Sequence, residues 1–471
     1  MKNIRFKFIG VLLLMALVLG SCKKWIDTGI NVNPDAPIDV PMSSLVPAIE
    51  ANMAYTLIDG NDYSRVTSQW MQYYQGIARQ SQAESNYTWH DGDVDNVWNT
   101  AYSGIMMDLK ILTDKATAGK NMTYLGIADV LMAESLGFVT DIWGDVPYSA
   151  AFQGALGSAY FNPAFDKQLD LYPKILALLD EAIASLGDAS ALTVTGDLIY
   201  GGDPSLWLKA AHGMKARYLL HTSKIDNTVY ANVLTEVNGA LTSNAEDMQV
   251  AFSANGGQQN PLYQFMSQRG DIAMHKTFMD MLIIRQDPRK FAYAGAGSDT
   301  TQPYQGADWG SAGEKASPPG QAVNAPDAPV LFLTYAECLF IKAECEFHAN
   351  PADPQVKADI VNGLTASLNK WGVFNALYVA GYTNTFLDTV NVTLFKELMT
   401  QKYIALYNQA ETFNDWRRTN NVIGLVANPT ISAVRNEIPR RFPYSLGEKS
   451  YNTNTPQNVD LWQRVWWDVA K

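Results

Sequence analysis

The chain has 471 residues, 47% of them hydrophobic and 17% charged, a globular composition that excludes a disordered or low-complexity polymer. Lys plus Arg number 35 against 47 Asp plus Glu, for a formal charge of −12, and no basic stripe interrupts that acidic balance. Such a chain is a poor match for a phosphate backbone, so nucleic-acid binding is set aside.

Lys2, Arg5 and Lys7 precede an apolar run from Phe8 to Leu19. A dozen helical residues span about 18 Å, short of a hydrocarbon core of roughly 30 Å, so residues 1–21 read as a secretory signal rather than a membrane span. The run ends in Leu19-Gly20-Ser21-Cys22, which resembles a bacterial lipobox. In that motif the cysteine becomes the first mature residue and the lipid attachment site, so Cys22 is expected to carry acyl chains, palmitate among them. At about 0.8 kcal/mol per buried CH₂, several such chains anchor a protein stably. The other two cysteines, Cys338 and Cys345, lie seven apart in a helical pattern, about 10 Å along the axis. A disulfide needs Cα atoms within about 7 Å, so both are expected as unbridged core residues.

Helical periodicity then marks roughly 43–58, 64–79, 95–117, 122–138, 171–186, 204–223, 228–242, 271–286, 330–349, 355–371 and 392–410. Pro173 belongs in a first turn or kinks its helix. Strand-like alternation is scarce, and Ala328 to Leu333 fits either a short buried strand or the entry to a helix. Short polar turns join 204–223 to 228–242 and 330–349 to 355–371, as in stacked αα-hairpins of a solenoid. The expected fold class is mainly α. Between the helices lie Gly, Pro, Asn and Ser-rich stretches at 153–165, 188–203, 253–261 and 294–329. The last holds six Gly and five Pro together with Tyr304 and Trp309, which marks it as a candidate ligand-contacting loop.

Several motifs taken in order resemble the SusD/RagB-like family of outer-membrane nutrient-binding lipoproteins. They begin with the lipobox and Asn33-Pro34-Asp35-Ala36-Pro37. Trp98-Asn99 with Tyr102 follows, then Trp143-Gly144-Asp145-Val146-Pro147 and Tyr200-Gly201-Gly202-Asp203 with Trp207. Gln286-Asp287-Pro288-Arg289, Thr334-Tyr335-Ala336-Glu337, Gln401-Lys402-Tyr403, Asp415-Trp416-Arg417-Arg418 and Ile438-Pro439-Arg440-Arg441-Phe442-Pro443-Tyr444 complete the series. The resemblance implies a single domain over 22–471 after the signal peptide. Degenerate tetratricopeptide-like helix pairs, mainly 43–250 and 330–420, would support a loop-rich ligand lobe that includes 251–329 and 421–471. It implies a lipid-anchored outer-membrane protein facing the cell exterior, which binds an oligosaccharide or polysaccharide and passes it to a SusC-like TonB-dependent transporter. The family implies no catalysis and no cofactor. Some relatives take peptides instead, and a helical glycoside hydrolase or a ligand-free scaffold are the rivals from other classes.

A sugar offers C–H faces and hydroxyl edges, so a site wants flat rings and polar forks. Residues 62–98 are rich in aromatics. Trp70, Tyr73 and Tyr74, at helical spacing, read as core, and so do Trp98 and Tyr102. Tyr87 and Trp89 sit in a polar, glycine-containing stretch. They join Trp309 and Tyr304 as candidate ligand-binding residues, with Arg79 as a hydroxyl reader. Asp91, Asp93 and Asp95 alternate like calcium-loop ligands, but position 12 is Tyr102 and position 6 is Asn96, so they read as solvated loop acids and no metal is expected. Arg417, Arg418, Arg440 and Arg441 read as ion pairs between helices. No zinc, nucleophile-elbow or phosphate-loop motif is present, although a glycosidase needs only two carboxylates at about 5–10 Å.

Overall fold

In the computed structural model the described residues are 39–58, 63–387, 392–431 and 435–470. The signal segment and Cys22 lie outside them. Residues 42–471 form one compact unit.

Eight helices carry the architecture: α1 Met107–Gly119, α2 Met122–Trp143, α3 Gln168–Leu186, α4 Pro204–His221, α5 Tyr230–Val237, α6 Tyr335–Ala349, α7 Pro354–Lys370 and α8 Val392–Ala405. From α1 to α7 each packs against the next, and α8 closes on α6 and α7. The result is a run of helix pairs in solenoid order, including the two pairs marked in the sequence. Caps set their starts. Asn121 accepts from the Tyr124 N–H at 3.0 Å, and Thr334 from the Glu337 N–H at 3.2 Å. Asp203 and Asp353 each cap a helix whose first residue is proline, Pro204 and Pro354. An oxygen acceptor before a residue that lacks an N–H satisfies the helix's orphan donors at little cost. Pro173 lies inside α3, past its first turn. Having no N–H, it leaves the Leu169 carbonyl without its intrahelical donor, on a residue that is 53% exposed.

Almost every residue of α2 is buried. Neighbours reach it because it carries glycine where they cross: a Cβ on Gly137 would lie 2.2 Å from the Tyr218 ring, and one on Gly126 2.4 Å from Leu186 Cγ. Phe340, Ile360, Leu364, Leu368, Leu394 and Leu398 close the apolar core of α6 to α8. Buried ion pairs stitch distant segments. Arg217 on α4 donates to both Glu337 carboxylate oxygens at 2.8 and 2.7 Å, and Arg418 pairs with Glu344 and Asp415. Arg440 pairs with Asp468, whereas Arg417 and Arg441 donate to backbone carbonyls. Cys338 and Cys345 are buried and unbridged.

Among the described residues four short strands form two antiparallel pairs, β1 (Tyr74–Gly76) with β3 (Ile272–Met274) and β2 (Met248–Val250) with β4 (Val330–Leu333). The Ala328–Leu333 run is therefore a buried strand that leads straight into α6. The helix expected over 64–79 stops at Trp70. Gln72 turns the chain at φ +61° and Tyr74 begins β1, yet Trp70, Tyr73 and Tyr74 are all fully buried. Aromatic spacing that suits one helical face also suits a helix end followed by a buried strand. The 294–329 loop is pinned to the sheet side: Ala307 N–H donates to Met274 O at 2.7 Å, and Gly320 N–H to Tyr293 O at 2.7 Å.

Candidate functional site

A polar cleft of about 440 Å³ opens where a π-helical turn, Met53–Ile58, meets the 79–96 segment and the Pro261–Gln268 helix. Its floor is an ion pair. Arg65 Nη1 and Nη2 each donate to a Glu84 carboxylate oxygen at 3.0 Å, with the guanidinium 4.6 Å over the Phe265 ring. Gln69 Nε2 adds a 2.6 Å bond to the same carboxylate. The charge is thus neutralised and held rigid before any ligand arrives.

The rim is polar and exposed: Gln80, Asp93, Asn96, Gln268 and Arg269. Arg269 Nη1 donates to Gln80 Oε1 at 3.2 Å, and Tyr55 Oη donates to Gln264 Oε1 at 3.1 Å. Tyr55, 37% exposed, presents the accessible ring of the cleft. The wider π turn buries Met53, Ala54, Leu57 and Ile58 while leaving Tyr55 outside. Amide and guanidinium forks around one open ring suit a hydroxyl-rich molecule with an apolar face.

The structure disperses the residues singled out in the sequence. Trp89 lines this cleft but is only 8% exposed, tilted against Phe442, with its indole N–H buried and unpartnered. Arg79 stands behind the rim: its Nε donates to Asp271 at 3.0 Å and its Nη2 to the Arg269 carbonyl at 2.7 Å, so it holds Arg269 in place. Tyr87, at φ +58°, is buried, and its hydroxyl accepts from the Asn428 N–H at 3.0 Å. Trp309 and Tyr304 do not line the cleft. Trp309 is half-buried, edge-on to His275 at 4.3 Å, and Tyr304 meets Phe291 edge-on at 5.1 Å. Desolvation, then the neighbouring Lys276, holds the His275 imidazole down to about 3, so it stays neutral beneath Trp309. Tyr55 was missed because it falls in 43–58, which reads as ordinary amphipathic helix; Gln264, Gln268 and Arg269 fall inside the expected 251–329 ligand lobe, where no aromatic ring or motif singles them out.

The three aspartates do not converge on a common point. Asp91 pairs with Lys449 at 2.8 Å, Asp93 accepts from the His90 N–H at 2.8 Å, and Asp95 accepts from Ser445 Oγ at 2.6 Å. Among the described residues no group of His, Cys, Asp or Glu is placed to hold a metal ion, and no helix is long and apolar enough to cross a membrane.

Solved structures share the whole architecture. A SusD/RagB family protein from Bacteroides thetaiotaomicron superposes with a TM-score of 0.75 at 24% identity, covering 92% of this chain and 100% of its own. A chitin-binding SusD homologue from Flavobacterium johnsoniae gives 0.75 at 21% identity, over 92% and 98%. A SusD homologue from Bacteroides fragilis gives 0.74 at 21%, over 91% and 99%. No curated protein matches the chain. The family model described as starch-binding and associating with the outer membrane matches residues 34–445, nearly the full length, and the chain belongs to that SusD-like family.

Proposed function

We propose that this protein captures a neutral oligosaccharide or polysaccharide in the Tyr55–Trp89 cleft, at the outer membrane, and hands it to a partner TonB-dependent transporter. The observation that carries the reading is the cleft itself: a neutralised floor, amide forks and one open ring, with no charge excess to attract an ionic ligand. Family membership supports outer-membrane association and starch-type ligands, and the chitin-binding relative of similar fold supports a second polymer class. In this reading Cys22 carries the lipid and the chain faces the cell exterior. The domain runs from 22 to 471, with the helix pairs as scaffold and the irregular segments as ligand lobe. Binding followed by release to a transporter needs no catalytic group.

Calorimetric titration with soluble starch, chitin oligosaccharides and a peptide pool tests the ligand class. Tyr55→Ala with Gln268→Ala removes exposed rim groups only. The loss of one ring contact and one amide bond predicts binding roughly tenfold weaker or worse. Unchanged affinity, or binding of peptides alone, rejects the reading. Co-purification of a large β-barrel with the native lipoprotein tests the transporter step, and labelled palmitate incorporation that is lost in Cys22→Ser tests the anchor.

A further inference from the structure

A second cavity, of about 540 Å³, lies beside the first and is built differently. Its walls are rings. Trp98 and Tyr102 sit 4.8 Å apart at an interplanar angle of 33°, and Tyr102 and Phe152 6.3 Å apart at 27°. Tyr160 and Phe161, 43% and 60% exposed, line it from the 154–161 loop. Phe152 holds φ +62°, a left-handed conformation that is strained for a bulky residue and persists only where the surroundings impose it.

The two cavities share one helical segment. Gly92, Asp93 and Asn96 line the cleft, and Asn99, Ser103 and Met107 line the ring-walled trough. The segment runs as a 3-10 turn (Asp91–Val94), an α turn (Asp95–Asn99) and a π-helical stretch (Thr100–Met106), and its cavity-lining polar residues Asn96, Asn99 and Ser103 follow one another as a stripe from the cleft to the trough. Asn96, Asn99 and Ser103 are exposed. From Asn96 to Ser103 the stripe covers roughly 10 Å, and it offers amides and a hydroxyl the whole way. Leu446–Tyr451, a short helix, runs beside both: Leu446 lies 3.8 Å from where a Cβ on Gly92 would sit, and Glu448 lines the trough.

We infer that the trough is a second subsite for the same glycan chain, so that a polymer lies across both cavities over the Asn96–Asn99–Ser103 stripe. This rests on the glycan reading of the cleft and extends it. Trp98, 3% exposed, backs the trough from behind Tyr102, while the open Tyr160 and Phe161 rings receive the C–H faces of sugar units and the stripe takes their hydroxyl edges. Glu448, already accepting from Trp98 Nε1 at 3.3 Å and Asn452 Nδ2 at 2.7 Å, is the one charged group lining the trough, so the chain it accepts is neutral rather than uronic or sulfated.

The test is chain-length dependence in the full-length protein. Wild type, Tyr160→Ala/Phe161→Ala (both rings exposed, so the fold survives, as circular dichroism checks) and Tyr55→Ala/Gln268→Ala are titrated with a trisaccharide, a heptasaccharide and the parent polymer of starch and of chitin. The expected result is that the loop variant binds the trisaccharide like wild type and the polymer about tenfold more weakly. The cleft variant loses affinity for all three lengths. Full polymer affinity in the loop variant alongside a weakened cleft variant overturns the second subsite and leaves the proposed function standing. The same full affinity combined with loss of β-barrel co-purification assigns the trough to a protein partner and overturns it as well. Absence of glycan binding in the wild type overturns both readings.

Discussion

His221 on α4 is buried between two carboxylates from distant segments. Its Nε2 lies 2.9 Å from Glu411 and its Nδ1 3.1 Å from Asp141, with Tyr172 Oη at 2.9 Å and the Trp467 N–H donating to the same Asp141 at 2.8 Å. Desolvation alone drives an imidazole toward neutrality, but here Glu411 and then Asp141 outweigh it and lift His221 from 6.5 to about 9. A raised folded-state value means that the imidazolium stabilises the fold. The contribution is complete below about 6.5 and disappears as pH rises through about 9. At about 1.4 kcal/mol per unit, that is roughly 3 kcal/mol. The assay is urea unfolding of wild type and His221→Gln across this window. Burial raises the Asp129, Glu134 and Glu346 carboxyls to about 7, so the comparison is read from about pH 7.5 upward, after they have ionised. From there wild type is expected to lose stability steadily to pH 10, while the variant starts about 2 kcal/mol lower, since part of the full contribution is already gone at pH 7.5, and stays flat. Equal slopes in the two proteins would refute a charged His221.

Three further outcomes follow from the same physics. Arg418→Met strands Glu344 in the interior and is expected to cost about 3–5 kcal/mol in chemical denaturation; a cost under 1 kcal/mol would mean the pair is solvated. Asp129 is buried, with one carboxylate oxygen unpartnered, and burial pushes it up to about 7. Being raised, it destabilises the fold once ionised, so Asp129→Asn should be the more stable protein at pH 8, with the gap closing by about pH 4, as thermal melts at both values read out. Lys120 closes α1 at φ +50°, so Lys120→Gly should stabilise by about 0.5–1 kcal/mol, and a loss of stability would contradict that backbone.

The helix pairs were legible because long apolar stripes at a period of 3.6, followed by cap–proline starts such as Asp203-Pro204 and Asp353-Pro354, admit few alternatives. The break after Trp70 was not legible, since Trp70, Tyr73 and Tyr74 satisfy a helical face and a buried strand equally well. The site was harder still. Tyr55 is exposed by a π turn that no side-chain pattern announces, whereas Trp89 and Tyr87, whose polar neighbours suggested exposure, fold inward against Phe442 and Asn428. Trp98 and Tyr102 read as packing residues, and both also line the trough. Whether a ring covers another ring or stands open depends on contacts hundreds of residues away, here Phe442 and Glu448 against positions 89 and 98.

A crystal structure with a bound heptasaccharide of starch or chitin tests the central claim most directly. The account predicts sugar density against Tyr55, Gln268 and Asn96, continuing toward Tyr102. Density confined to Trp309 and Tyr304, with the Tyr55 cleft empty, would contradict it.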